Sequence, residues 1–231
     1  MYRNFFKRVI DIICALLAII VFCWLYIIVA LLVKIKLGSP VLFKQVRPGK
    51  KDKNGSEKLF TLYKFRTMTD QKDENGNLLP DSVRLTKFGA WLRNTSLDEL
   101  PEAFNILKGD MSVIGPRPQL VRDIVFMTDE QRRRHDVRPG LSGLAQISGR
   151  NAISWEDKLA TDLKYIQKIT FLGDAKIVLK TVGKFIKQED ITEEGEATAT
   201  DLGDYLLQKG EITKQEYDRK QEQAKGLLKN A

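Results

Sequence analysis

Histidine and cysteine are nearly absent from this sequence, which has one histidine and two cysteines in 231 residues. Cys14 and Cys23 are nine residues apart in an apolar run, so a continuous helix places them on opposite faces and excludes a disulfide between them. Neither a zinc-ligand spacing nor a redox cysteine pair occurs, which is typical of a reduced protein facing the cytoplasm. The single histidine, His135, lies in an arginine-rich stretch and is interpreted as part of a solvated basic helix face, so a Ser-His-Asp hydrolase lacks support.

Acidic residues are scarce through most of the chain. The net charge is +8, but residues 189–231 carry −5, so residues 1–188 carry +13. A body this basic favours partners that bear phosphate: nucleic acid, anionic lipid headgroups or a diphosphate substrate. Charge alone leaves all three classes open.

Charge is also missing from one long N-terminal run. Val9–Val33 contains a single charged residue, Asp11, and as a helix it would be about 37 Å long, enough to reach across the hydrocarbon core of a bilayer. The run is longer than the apolar region of a secretory signal peptide and has no small-residue cleavage site. It is apolar on all sides, which disfavours a buried core helix and favours a membrane segment.

The charges on both flanks of this run bear on its topology. Basic residues on either side draw both ends to the cytoplasm, and a helix that enters and returns on one face satisfies both. A straight span would carry a short cationic tail across the membrane. The pattern favours re-entry with a bend near Cys23-Trp24, but Val21–Tyr26 has neither proline nor glycine to cause it, so the straight span stays open.

Short strands and amphipathic helices are predicted after the membrane segment. Val41–Val46 and Leu59–Tyr63 have strand composition and flank a polar loop at residues 47–57. Leu85–Arg93 and Asp174–Lys187 repeat apolar residues at helical spacing. Because they accompany a membrane segment, we expect at least one of them to lie at the interface.

These elements predict an α/β fold, mainly helical with a small sheet, with an N-terminal membrane helix and interfacial amphipathic helices. Residues 1–36 form the membrane-inserted helix and residues 37–188 the central domain, which is catalytic if the chain is an enzyme. Residues 189–200 are polar and are interpreted as a linker. Residues 201–231 predict a helical hairpin with Thr213 capping its second helix, similar to short modules at bacterial protein termini, and we expect it to mediate self-association or to bind a partner protein.

Two adjacent carboxylates, Asp98 and Glu99, begin a predicted helix that Gly109 closes. The helix dipole and free N–H groups favour an ionised carboxylate there, which can serve as nucleophile or metal ligand. Ser96 and Glu99 also have the spacing of a capping box, in which Glu99 would be structural. Pro101 would clash with a carbonyl of the preceding turn, so a helix start after the pair is equally consistent.

Cationic turns accompany these carboxylates. Gly115–Pro118 predicts a rigid turn presenting Arg117, whose guanidinium suits bidentate contact with phosphate. Lys64–Met68 places two cations after a strand, and glycine-rich residues 138–143 and 149–151 add further arginines. Each turn alone fits an ordinary surface charge. Together with the paired carboxylates they point to phosphate chemistry.

In their order along the chain these motifs resemble the bacterial sugar transferases, the monotopic phosphoglycosyl transferases. The resemblance covers about residues 1–190 and rests on Lys64–Met68, Ser96–Pro101, Lys108–Ser112, Gly115–Pro118, Val137–Gly140 and Gly149–Trp155. The chain is similar in size to small members such as the one that opens bacterial N-linked glycan assembly. One departure concerns the Ser-Pro pair that bends the family's membrane helix, since Cys23-Trp24 stands there.

The resemblance implies an enzyme on the cytoplasmic face of the bacterial inner membrane. It would move a sugar 1-phosphate from a UDP-sugar to undecaprenyl phosphate and release UMP. Asp98 matches the nucleophile that forms an aspartyl phosphosugar, and Glu99 matches the residue that holds Mg²⁺. The rest of the polar active-site set matches Lys64, Arg93, Arg117, Arg150 and Asp162. Closeness to the N-glycan member suggests an N-acetylated or bacillosamine-type sugar.

Two rival functions are weaker. A membrane-tethered nucleic-acid binder fits the basic body, but no nucleic-acid fold is recognisable and the cations lie on turns beside acids, so no nucleic-acid partner is expected. A catalytically inactive membrane scaffold fits the anchor and the terminal hairpin. The presence of both Asp98 and Glu99 argues against it.

Overall fold

The computed structural model describes residues 1–149, 153–187 and 200–229. Over these residues the protein is mainly helical with two small sheets, as the sequence predicts apart from the number of sheets. A π-helix at Tyr2–Phe6 and 3₁₀ turns at Leu97–Glu99 and Gln131–Asp136 complete the helical parts. The α-helices and strands, in chain order, are α1 (Lys7–Val21), α2 (Cys23–Leu37), β1 (Leu42–Lys51), β2 (Glu57–Phe65), α3 (Asp81–Arg84), α4 (Lys87–Asn94), α5 (Glu102–Lys108), β3 (Ser112–Ile114), α6 (Val121–Ile124), β4 (Gly140–Ser142), α7 (Leu144–Ser148), α8 (Trp155–Gln167), α9 (Phe171–Lys187), α10 (Leu202–Gln208) and α11 (Lys214–Lys229).

The N-terminal apolar run is bent. Among the described residues, no single helix has the length and apolar composition to cross a membrane; Tyr2–Val21 and Cys23–Leu37 meet those criteria only as a pair, across a 65° bend. The break falls at Phe22, whose φ of −101° and ψ of 13° lie outside the helical range. A bend therefore occurs one residue from the predicted place without proline or glycine.

Contacts with downstream residues hold both arms of the bend. Asp11, the one charge in the run, is buried and accepts hydrogen bonds from the Ser112 hydroxyl (3.0 Å) and the Val113 amide (2.9 Å). On the other arm, the Tyr26 hydroxyl donates to the Leu100 carbonyl at 2.6 Å. Because each arm is fixed separately, tertiary contacts replace the missing proline as the cause of the bend.

An antiparallel hairpin of β1 and β2 forms the larger sheet. Both strands run further than predicted, so the expected loop at residues 47–57 is reduced to a turn at residues 52–56. Asn105 of α5 binds the free edge of β2, accepting from the Tyr63 amide (3.1 Å) and donating to the Thr61 carbonyl (2.7 Å). These bonds fix α5, and the turn before it, against the strand that carries Lys64.

Strands β3 and β4 form a short parallel pair that supports the Gly115–Pro118 turn. Gly115 donates to the Ser142 carbonyl at 2.9 Å, and Gly140 donates to the Pro116 carbonyl at the same distance. A Cβ added at Gly140 would lie 2.0 Å from the Gly115 nitrogen, so glycine is needed for this approach. The turn is thus held by backbone on both sides.

The C-terminal helices pack on the central domain. Leu202 joins Phe126, Trp155 and Leu159 in one buried cluster, and its amide donates to Asp123 at 3.0 Å. The predicted cap forms, since the Thr213 hydroxyl accepts from the Glu216 amide at 3.2 Å. The hairpin therefore completes a hydrophobic cluster of the central domain, while the proposed linker falls almost wholly outside the described residues.

Candidate active site

The paired carboxylates lie on a 3₁₀ turn between two helices. Ser96, with a φ of 51°, reverses the chain after α4, and Leu97–Glu99 follows before α5 begins at Glu102. Pro101 sits immediately before α5, where its missing N–H is harmless. The helix thus starts after the carboxylates, which was one of the two registers left open, and Gly109 ends it at a φ of 95° as predicted.

Glu99 does not form the capping box. The Ser96 side chain makes no cap hydrogen bond, and the Glu99 carboxylate turns instead toward two cations. Its Oε1 lies 2.6 Å from Lys64 Nζ and 2.8 Å from Arg117 Nη2. Glu99 is therefore a site residue and does not close the turn.

Lys64 lies among three carboxylates. Its Nζ is 2.6 Å from Glu99, 3.1 Å from Glu102 and 3.9 Å from Asp98. Burial opposes its charge, but Glu99 and Glu102 raise its pKa above the usual value. With Arg117 nearby, the cluster has three carboxylates and two cations, so burial and distance decide which acid holds a proton.

The three acids divide the charge unequally. Burial raises the pKa of Asp98 to about 6, although Lys64 works in the opposite direction. Burial likewise raises the pKa of Glu102 to about 7. Partial burial also opposes the charge of Glu99, but Lys64 and Arg117 outweigh this and hold its pKa well below its usual range. The expectation that helix N–H groups and the dipole favour an ionised Asp98 is wrong in direction: burial makes its ionised form less favourable than in water.

Arg117 reaches the carboxylates from the rigid turn, as predicted. Its side chain is about half exposed, so a substrate could reach it, while its carbonyl accepts from Arg134 Nη2 at 2.6 Å. Arg47, which sequence reasoning missed, is half-buried beside it and donates to the Pro118 carbonyl at 3.5 Å. Burial lowers the pKa of Arg47 to about 10. Both arginines extend the positive potential around the carboxylates.

Asp162 lies one contact away from the cluster. It is buried, and its Oδ2 accepts from Arg134 Nε (2.9 Å) and Nη2 (2.6 Å). Arg134, also buried, is the residue that holds the Arg117 carbonyl. Among the described residues Asp162 therefore acts through Arg134 and contacts no carboxylate of the site. Sequence gave no sign of Arg134, because nothing distinguishes it within the run Arg132–Arg134.

The interpretation of His135 as a solvated residue is wrong. Its side chain is 2% exposed, and Nδ1 lies 3.2 Å from Glu57 Oε1. Arg132 binds the same carboxylate through Nε and Nη2, at 2.8 and 2.5 Å. Burial lowers the pKa of His135 to about 4, so it is neutral near pH 7. His135 fixes the 3₁₀ turn that carries Arg134 against β2.

Two predicted residues remain. Arg93, in the last turn of α4, donates from Nε to the Thr67 hydroxyl at 3.1 Å. Burial lowers its pKa, while Asp98 acts to raise it, which places the two side chains within electrostatic reach. Arg150 lies outside the described residues. The structure thus brings Asp98, Glu99, Lys64 and Arg117 together, with Arg93 at the edge.

The cluster can attack and hold phosphate. An acid with a pKa near 6 is mostly ionised at neutral pH yet poorly solvated, as a carboxylate nucleophile should be. Lys64 and Arg117 can neutralise phosphoryl oxygens. No group of three His, Cys, Asp or Glu side chains in the described part of the chain forms a metal cage.

Comparison with known proteins places the chain among sugar transferases. A family model described as bacterial sugar transferase matches residues 2–188. The uncharacterized sugar transferase EpsL of Bacillus subtilis is 48% identical over 193 residues, which cover 84% of this chain and 93% of that protein. The UDP-N-acetylgalactosamine-undecaprenyl-phosphate N-acetylgalactosaminephosphotransferase of Aeromonas hydrophila is 38% identical over 77% of this chain. The UDP-glucose:undecaprenyl-phosphate glucose-1-phosphate transferase of Klebsiella pneumoniae is 39% identical over 78% of it. These matches span 43% and 40% of the last two proteins.

Proposed function

The chain belongs to the bacterial sugar transferase family, and from this membership we propose that it transfers a sugar 1-phosphate from a UDP-sugar to undecaprenyl phosphate. UMP is released, and the lipid-linked sugar phosphate initiates glycoconjugate assembly. The names of the Aeromonas and Klebsiella relatives, which describe this class of transfer, support the proposal. The observation that carries it is the buried Asp98 carboxylate beside Lys64 and Arg117.

Asp98 is the proposed nucleophile of a two-step transfer. A carboxylate oxygen attacks the sugar-bearing phosphorus of the UDP-sugar, and the bond from that phosphorus to the bridging oxygen breaks as UMP leaves. An oxygen of undecaprenyl phosphate then attacks the same phosphorus, and the bond to Asp98 breaks to regenerate the carboxylate. Lys64 and Arg117 stabilise the negative charge on the phosphoryl oxygens in both steps.

Mg²⁺ is proposed as the cofactor, held by Glu99. The donor set fits this ion, because Mg²⁺ commonly takes one or two carboxylates together with substrate phosphate oxygens. Glu99 stays ionised, and both of its cationic contacts use Oε1, so Oε2 can take a metal without breaking either. When bound, the ion would neutralise the diphosphate so that an anionic nucleophile can approach.

We propose that the bent helix pair is re-entrant and that the active site faces the cytoplasm. Basic residues precede α1 and end α2, which favours the same side for both. The outer face of α9 adds exposed apolar side chains, with Leu172 79% and Leu179 74% exposed. A helix with such a face is suited to lie on a lipid surface, as expected from the sequence.

The sugar is proposed to be N-acetylated or of the bacillosamine type. The name of the Aeromonas relative supports an N-acetylated hexose, whereas that of the Klebsiella relative specifies glucose. A panel of UDP-sugars, each assayed for UMP release with undecaprenyl phosphate, separates these classes. Release from UDP-glucose alone would refute this choice of sugar while leaving the reaction class intact.

The nucleophile has its own test. With a UDP-sugar and no acceptor, the wild-type protein should gain the mass of one phosphosugar, while Asp98→Asn should gain none and release no UMP. Asp129→Asn, on an exposed loop, is the matched control and should behave as wild type. Substantial turnover by Asp98→Asn would show that another group attacks. Failure of every UDP-sugar to yield UMP would favour the inactive scaffold.

A further inference from the structure

A groove lies between α9 and the helices α7 and α8, and its lining residues are separate from the candidate active site. It has a volume of about 470 Å³, with Leu144, Ile147, Tyr165 and Ile177 among the residues that line it. Lys164, Lys168, Lys176 and Lys180 also line it. The groove thus combines an apolar floor with a basic rim.

The rim carries unneutralised positive charge. All four lysines are exposed, and none forms an ion pair with an acid in the parts of the chain that the structure describes. One carboxylate, Asp174, also lines the groove, but it is already held by Lys7 (2.6 Å), Tyr2 (2.8 Å) and Tyr165 (2.9 Å). The rim therefore favours an anionic occupant.

The position of the basic rim on α9 further restricts the class of ligand that fits the groove. At 100° per residue, Lys176 and Lys180 lie about 40° and 80° around the helix from Leu172, which is on the exposed apolar face. On the other side of these lysines, Ile177 is buried against the domain. The basic face thus borders the apolar face, and the groove opens where the two meet.

We propose that this groove binds an anionic phospholipid, with the headgroup phosphate among the lysines and an acyl chain along Leu144, Ile147 and Ile177. The proposal rests on the proposed placement of α9 on the membrane, which puts the mouth of the groove at headgroup depth. Each lysine near an anionic membrane surface contributes favourably to the free energy of binding that surface. The apolar floor favours a ligand with a hydrocarbon chain over a soluble phosphate.

Native mass spectrometry on the full chain in mild detergent tests this. Wild-type protein titrated with phosphatidylglycerol and phosphatidylcholine should prefer the former by roughly tenfold or more. Joint replacement of Lys164, Lys168, Lys176 and Lys180 by glutamine should remove the preference, and replacement by arginine should keep it. The control variant carries glutamine at four exposed lysines of the β1–β2 region and the loop after it, Lys50, Lys53, Lys58 and Lys72. It should prefer phosphatidylglycerol as the wild type does.

Additional variants and competitor ligands identify the bound ligand and distinguish lipid binding from catalysis. Asp98→Asn should retain the lipid preference, and the glutamine variant should retain UMP release, so either property can fail alone. If the glutamine variant melts below wild type, the pairs 164/168 and 176/180 are tested separately. Equal preference in the glutamine variant and wild type overturns the proposal. So does displacement of the lipid by millimolar inorganic phosphate, or by undecaprenyl phosphate at equimolar concentration.

Discussion

Replacing Asp98 by asparagine should stabilise the folded protein while abolishing turnover. Its pKa rises from the ordinary 3.8 to about 6, so at pH 8 the folded state holds an ionised group that burial disfavours. That shift corresponds to about 3 kcal/mol when the group is fully ionised. Asparagine resembles the protonated acid in size and charge and removes this cost. At about 2–4 °C per kcal/mol, we expect the Tm at pH 8 to rise by roughly 6–12 °C.

The stability gained by Asp98→Asn should depend on pH in a definite direction. A carboxyl group with a raised folded-state pKa favours folding below its unfolded value of 3.8, and loses that contribution as pH rises through 6. The advantage of Asp98→Asn should therefore be complete above about pH 7 and small near pH 4. In the wild type, kcat/KM for UMP release should fall as pH drops below about 6, because the nucleophile becomes protonated.

Glu99→Gln is the matched control with the opposite sign. Lys64 and Arg117 hold the pKa of Glu99 below its usual 4.5, so its contribution to stability is present above that pH and is lost below it. Glu99→Gln should thus lower the Tm at both pH 8 and pH 5. Melts followed by tryptophan fluorescence can test both variants in the same detergent. A lower Tm for Asp98→Asn at pH 8, or a change equal at pH 8 and pH 4, would refute the reasoning.

Two further predictions concern support and topology. Asp162→Asn leaves the Arg134 guanidinium buried without its carboxylate, so we expect a roughly tenfold to hundredfold loss of kcat, measured below the Tm, with the acid limb near pH 6 unmoved. Unchanged kcat would show that Arg134 does not position Arg117. For topology, exposed Asn4 is replaced by cysteine in a variant without Cys14 and Cys23. On intact spheroplasts this cysteine should not react with an impermeant thiol reagent, and it should react once the cells are lysed. A control cysteine replacing Ser56 should behave in the same way. Labelling of position 4 alone from outside would show a straight span.

The sequence motifs predict the residues that form the centre of the candidate active site. Asp98, Glu99, Lys64 and Arg117 lie in short motifs with glycine, proline or strand context, and their contacts fall within one cluster. Their ionisation was harder to predict. The sign of the Asp98 shift depends on burial by several elements, which no local pattern records.

Residues that act at a distance were missed or misread. Arg134 is one of three successive arginines, and only the 3₁₀ conformation and a partner 28 residues away select it for burial. The basic neighbours of His135 predict a solvated side chain, yet Glu57, 78 residues away in sequence, pairs with it. Long-range pairing of this kind leaves no periodic signal in one sequence.

The bend at Phe22 has a consequence for the order of events during biosynthesis. The groups that hold Asp11 follow it by 101 and 102 residues, and the carbonyl that holds Tyr26 follows by 74. When the apolar run leaves the ribosome, the residues that hold its bend have not yet been synthesised. Its local sequence, without proline or glycine at residues 21–26, favours an unbroken helix. The contacts that hold the bend can therefore form only after β3 and the turn before α5 have been synthesised. The bend is thus set late, by residues that are synthesised after the segment they hold.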